Sequence, residues 1–216
     1  MFCLFQMQFH ILSVPSFLFL YYNHLMFVIA KKLKDILTYD ITYSEIDIDF
    51  LSYGLDILLQ DGLEYAGALT AGILMHRGPE ALCFLAVFGI LRTCTGGLHA
   101  SGRPGCFAGF ILIFTLSMLV SALPVSGLFF CCIAVFSICG ILRNSPVIHP
   151  LCPLTVEETI LCRRNTVIRC AVILFLIHAG LFLPPFRRLC APCACGAAAD
   201  DILMRLAPLF RKGETL

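Results

Sequence analysis

Between Arg103 and Arg143 the chain carries no charged residue, and nothing else in the sequence limits its fold so strongly. A membrane helix needs about 20 apolar residues to cross a ~30 Å hydrocarbon core. The run is long enough for two crossings, and Pro124-Val125-Ser126-Gly127 supplies the turn between them. Spans are therefore expected near 106–123 and 127–142. They must be helical, because hydrocarbon offers backbone groups no outside partner. Composition agrees: 59% of residues are hydrophobic and 13% charged, against about 25% charged in ordinary soluble domains. So few charges cannot cover a soluble enzyme's surface. A net charge of +1 argues against nucleic acid as a partner. The thirteen cysteines are odd in number and lie mostly in apolar runs, unlike a secreted disulfide scaffold.

Further segments follow on each side. Gly62–Met75 is apolar apart from Glu64 and can borrow from Tyr53–Leu59 to reach spanning length. Ala81–Leu91 is wholly apolar but short, and is expected either to span or to end in a re-entrant loop; His76-Arg77-Gly78-Pro79 separates the two. Val167–Pro184 is another span. Segment 191–210 is interrupted by Asp200, Asp201 and Arg205, and reads equally as a sixth span or as an amphipathic helix on the surface. Residues 2–30 are apolar and aromatic, without a basic start or a small-residue cleavage site, so no secretory signal is expected. From Met26 towards Lys31, Lys32 and Lys34 the pattern is that of an amphipathic surface helix; residues 1–25 are an extra span or an upstream start. The expected class is all-α: a polytopic membrane protein with about five to six transmembrane or membrane-embedded helices plus an N-terminal amphipathic region. Most Lys and Arg fall on one side when the spans alternate, with Arg77, Arg187 and Arg188 on the other. The positive-inside rule makes the richer side, including loops 92–104 and 143–166, cytoplasmic.

The segment Arg92–Cys106 carries the chemistry. Gly96 and Gly97 precede His99, and Cys106 follows seven positions later at the mouth of a span. A thiol attacks a peptide carbonyl as thiolate, and an adjacent imidazole can take its proton. Seven residues would place both side chains on one helical face, but Gly102, Pro104 and Gly105 indicate that the chain turns instead. The two glycines allow close approach of a substrate and offer N–H groups to an oxyanion. The bland reading is a Gly-rich interfacial loop beside an ordinary membrane cysteine.

This segment resembles the signature of the accessory gene regulator B (AgrB) family, membrane cysteine endopeptidases that process quorum-sensing propeptides. The matching residues are Arg92, Gly96-Gly97, His99-Ala100 and Cys106. A second likeness runs from Asn144 through Pro146, Pro150, Pro153 and Leu154 to Glu157 and Glu158, with Arg163 and Arg164 beyond. The acidic lead-in Ile46–Leu59 is also similar to the family. The likeness covers roughly 26–184, which divides the chain into an N-terminal extension (1–25), an AgrB-like membrane peptidase domain (26–184) and a divergent C-terminal segment (185–216). Pro104, and the stretch holding Cys190, Cys193, Cys195, Asp200 and Asp201, depart from the family pattern.

The resemblance implies that Cys106 is the nucleophile and His99 the general base and acid. It implies a cyclic thiolactone signal cut from a short AgrD-like propeptide. Arg92, Gly96 and Gly97 would bind substrate or support the loop. No carboxylate is placed by sequence to orient His99, which leaves a backbone carbonyl for that task. No metal or cofactor is expected: Cys190, Cys193 and Cys195, even with His178, lack the second ligand pair of a structural zinc site. The expected partners are the propeptide and the bilayer, with a homodimer left open. The expected location is the cell membrane, with several spans and the active-site loop facing the cytoplasm. The rival reading is a non-enzymatic polytopic membrane protein, such as a transport or assembly subunit, or an inactive copy that keeps the scaffold.

Overall fold

The computed structural model describes residues 28–29, 32, 45–96, 103–147 and 154–211. Among these the fold is all-α, with six helices and a short 3-10 turn. They are α1 (Glu45–Leu74), α2 (Gly78–Thr95), α3 (Arg103–Ser121), α4 (Gly127–Asn144), α5 (Val156–Phe182), the turn Pro184–Phe186, and α6 (Arg187–Arg211). Three of them, α2, α4 and α5, are long and apolar enough to cross a membrane; the apolar part of α3, Gly105–Ser121, is slightly shorter. The chain divides into two compact units, one of residues 1–67 and 100–111, the other of residues 68–99 and 112–216.

In the first unit a missing side chain brings two helices together. A Cβ on Gly67 would stand 3.1 Å from the Phe107 ring and 3.4 Å from Ile111. Tyr65 and Phe110 extend that contact, with ring centroids 5.8 Å apart. Small residues do the same in membrane bundles generally, where close backbone approach replaces the hydrophobic drive available in water. Gln60 donates to the buried Glu64 carboxylate at 3.1 Å.

The second unit is built around α6, which packs against α2, α4 and α5. Its inward positions are small: Cys190, Ala191, Ala194, Cys195, Ala197 and Ala199 are buried, followed by Asp200, Asp201, Met204 and Ala207. At Gly196 an added Cβ would come within 3.0 Å of the Phe84 carbonyl oxygen on α2. Phe84 in turn meets Phe114 edge-on at 5.3 Å. The large apolar side chains of α4 and α5, among them Leu128, Phe136, Phe175 and Leu176, point outward.

Four expectations change. The Ala81–Leu91 segment is longer than its apolar stretch: α2 runs unbroken from Gly78 to Thr95, starting where Pro79 occupies a first-turn position that needs no N–H donor, and the loop expected to re-enter lies outside the described residues. The span expected at Val167–Pro184 starts eleven residues earlier, at Val156. Thr155 and Glu158 form a reciprocal cap there, with Glu158 N–H donating to Thr155 Oγ1 at 3.2 Å and Thr155 N–H to Glu158 Oε2 at 2.8 Å. The 191–210 segment, read equally as a span or a surface helix, forms α6, with Asp200 and Asp201 turned inward among the other helices and Arg205 exposed. Finally, Pro104 does not turn the chain. It lies in the first turn of α3, where proline is tolerated.

Candidate active site

The last turn of α2 is held from three directions. Arg92 Nη1 donates to the Gly96 carbonyl oxygen at 2.6 Å, folding the guanidinium back over the helix end. Arg169 on α5 donates to the Ile90 carbonyl at 2.6 Å and to the Thr93 hydroxyl. Cationic groups belong here, since the last carbonyls of a helix lack partners and carry partial negative charge. The buried Cys94 thiol lies beside that of Cys162 on α5.

Gly96 ends the helix in the left-handed region, at φ 69°. Only glycine adopts that conformation without penalty, and space demands it as well, because a Cβ would lie 2.5 Å from the Val147 carbonyl oxygen. Val147 N–H donates to the Thr95 carbonyl at 2.8 Å, making a single parallel bridge between two segments far apart in sequence. The two stretches singled out from the sequence, 92–106 and 144–158, thus touch at Thr95-Gly96 and Val147. Ser145 anchors the second stretch to α5 through a 3.2 Å hydrogen bond with Thr166.

Beneath this junction lies a carboxyl group that the sequence reading did not assign. Asp200 of α6 is fully buried, and its Oδ1 accepts from the Thr95 hydroxyl at 3.2 Å. The Arg92 guanidinium acts on it through space. Asp200 Oδ2, equally shielded from water, has no hydrogen-bond partner among the described residues. Its neighbour Asp201 is fully engaged: both oxygens accept from Arg205 Nε at 2.9 Å. An ionisable residue inside a membrane bundle is costly and marks function by default; that signal was present in the sequence at Asp200.

Cys106 belongs to the first turn of α3 and is half-buried. The first turn of a helix has unpaired N–H groups and favours negative charge, which suits a thiolate. Of the other predicted site residues, Arg92 and Gly96 stand as described above, in a different compact unit from Cys106. Gly97 and His99 lie outside the described residues. Among the described residues, no three His, Cys, Asp or Glu side chains converge to hold a metal ion. Two of the C-terminal cysteines have separate neighbours instead: Cys190 donates to the Ile177 carbonyl at 3.3 Å, and the Cys193 thiol lies beside that of Cys83. His178 Nδ1 lies 2.8 Å from the Leu174 carbonyl.

Comparison with known proteins places these residues in context. A family profile described as Accessory gene regulator B matches residues 11–193, most of the chain. An AgrB-like protein of Clostridium perfringens (strain 13 / Type A) is 30% identical over 96 residues. That match takes in 44% of this chain and 43% of the relative, so less than half of either is compared. No solved structure matches.

Proposed function

Because the chain belongs to the accessory gene regulator B family, which ties it to the agr system of quorum sensing, we propose that it is a membrane-embedded cysteine endopeptidase. Its substrate is a short AgrD-like propeptide, and its product a cyclic thiolactone. The observation that carries the reading is the extent of the family match, residues 11–193, a range that includes His99, Cys106 and the 144–158 segment.

His99 takes the Cys106 thiol proton, and the thiolate attacks the scissile carbonyl carbon. The tetrahedral oxyanion that forms needs N–H donors, which the backbone at Gly96 and Gly97 is suited to supply. As it collapses, the C–N bond breaks and the imidazolium returns its proton to the leaving amine. The peptide remains as a thioester on Cys106. A cysteine within the bound peptide then attacks the same carbonyl, closing the thiolactone ring and releasing the Cys106 thiol. Thioester exchange is close to balanced, so excluding water decides between ring closure and hydrolysis. Arg92, bonded to the Gly96 carbonyl, steadies the loop. The excess of Lys and Arg beside the 92–104 and 143–166 loops supports a site on the cytoplasmic face.

The test is co-expression with a propeptide encoded beside this gene, with cleavage followed by mass spectrometry. Native chain should process the peptide, while Cys106→Ala and His99→Ala should each abolish processing. Undiminished processing by Cys106→Ala would return the chain to the non-enzymatic reading.

A further inference from the structure

The outside of the second unit carries a feature that the proposed chemistry does not use. Between the outer edges of α4 and α6 runs a groove of about 370 Å³. Phe129, Ile133 and Phe136 line it from α4, and Ala198, Asp201 and Ile202 from α6. Its rim is open, with Phe136 68% exposed and Phe129 and Ile202 about half exposed. Helix α4 is apolar enough to cross a membrane, so this groove is covered by lipid or by another membrane-embedded segment.

The groove is apolar along its length but cationic at one end. Asp201 is buried in its floor, and Arg205, one turn on, lies over it with Nε 2.9 Å from both carboxylate oxygens. The guanidinium also stands above the Phe136 ring, 5.4 Å from its centroid. Gly140 makes room for the pair, because a Cβ there would strike both Asp201 Oδ1 and Arg205 Nη2. The carboxylate thus holds Arg205 by one nitrogen, and among the described residues the Nη groups carry no hydrogen bond. Arg143 is exposed at the same end, seven residues beyond Phe136 and on the same face of α4. Two guanidiniums against one carboxylate leave this end net positive. Phe129 and Arg143 are ~21 Å apart along the helix, more than half of a ~30 Å hydrocarbon core. An acyl tail hanging from the arginines therefore stays within the groove as far as the middle of the bilayer.

We propose, independently of the peptidase chemistry, that the α4–α6 groove binds an anionic phospholipid, with the phosphate on Arg143 and Arg205 and one tail between Phe129, Phe136 and Ile202. Basic groups between helices at one end of a membrane bundle suit a lipid phosphate, which accepts the paired N–H groups of a guanidinium. A zwitterionic lipid would bring its own cation against the two arginines. An apolar peptide helix would fill the groove but leave both arginines without an anion.

The chain contains no tryptophan, so Phe136→Trp installs a single fluorescent reporter in the groove. Phe175→Trp installs one on the outward side of α5 as a reference. The full chain in phosphatidylcholine vesicles is titrated with dibrominated phosphatidylglycerol or dibrominated phosphatidylcholine, and quenching gives the relative affinity of the two lipids. Phe136→Trp should favour phosphatidylglycerol about fivefold or more, and Phe175→Trp should give a ratio near one. Adding Arg143→Gln or Arg205→Gln to the Phe136→Trp chain should lower the ratio at least twofold, and adding both should bring it near one. Arg163→Gln with Arg164→Gln should leave the ratio unchanged. Those arginines are exposed at the same end of the bundle, where Thr166 meets Ser145, but they lie outside the groove. A ratio near one at Phe136→Trp, or an equal fall with Arg163→Gln and Arg164→Gln, means that the arginines serve only the charge bias of membrane loops, and the proposal fails. If neither lipid quenches Phe136→Trp while both quench Phe175→Trp, a helix of a second copy or of a peptide covers the groove, which also overturns it. Arg205→Gln leaves Asp201 buried without its partner; should that chain not accumulate, Arg143→Gln decides, and an unchanged ratio refutes the site.

Discussion

Helices α5 and α6 follow one another through a three-residue turn, yet they meet opposite demands. The α5 helix is apolar enough to cross a membrane and shows Phe175, Leu176 and Phe182 on its outside. By composition α6 is the poorer membrane helix, with two aspartates and an arginine, but it is the one surrounded by others. Within a bilayer, lipid tails are as apolar as leucine, so hydrophobicity does not decide which helix goes to the centre. Size does. Alanine, glycine and cysteine let α6 approach α2 and α4 closely, while bulky side chains on α5 can be left to lipid.

That contrast can be broken most forcefully at Gly196. Its Cβ position is 3.0 Å from a backbone oxygen and 3.3 Å from Val87 Cβ, neither of which can give way easily. Gly196→Val should cost about 3 kcal/mol through overpacking, read as lost accumulation in membranes and a lower unfolding midpoint in detergent. Gly96→Ala should come next, at about 2 kcal/mol, because it forces a side chain into the left-handed region against Val147. Propeptide processing should fall further than stability there, since the strain lies at the stem of the proposed catalytic loop. Phe175→Ala should be mildest, below about 0.5 kcal/mol by the same unfolding assay, as its ring is 70% exposed and packs on little protein. Should Phe175→Ala prove the most damaging of the three, the division between a lipid-facing α5 and a size-selected α6 would be wrong.

The sequence made the lipid-facing parts of this fold plain and the central helix obscure, for one physical reason. Hydropathy reports what a residue would do in water or oil. The charge-free run therefore yielded α3 and α4 and the break before Gly127, where Ser126 accepts from Phe129 N–H. Hydropathy cannot see that the exposed Arg205, one turn on, reaches back to neutralise the buried Asp201. Nor does it register that Arg92 turns back onto its own helix end, so α2 looked shorter than it is. At the candidate site, Arg92, Gly96 and Cys106 stand out in the sequence because their types and spacing are chemically distinctive. Asp200 stands out there only as a charge interrupting an apolar segment, since its partner Thr95 lies more than a hundred positions away.

The Val147–Gly96 contact has a consequence for how this protein tolerates change. The bridge is made by backbone on both sides, so the side chain at 147 is not what forms it. Position 96 has no such latitude, because its Cβ would collide with the facing carbonyl. A library of variants at these two touching positions should therefore divide sharply, with many residues surviving at 147 and glycine alone at 96. Two neighbours in space thus carry very different amounts of heritable information.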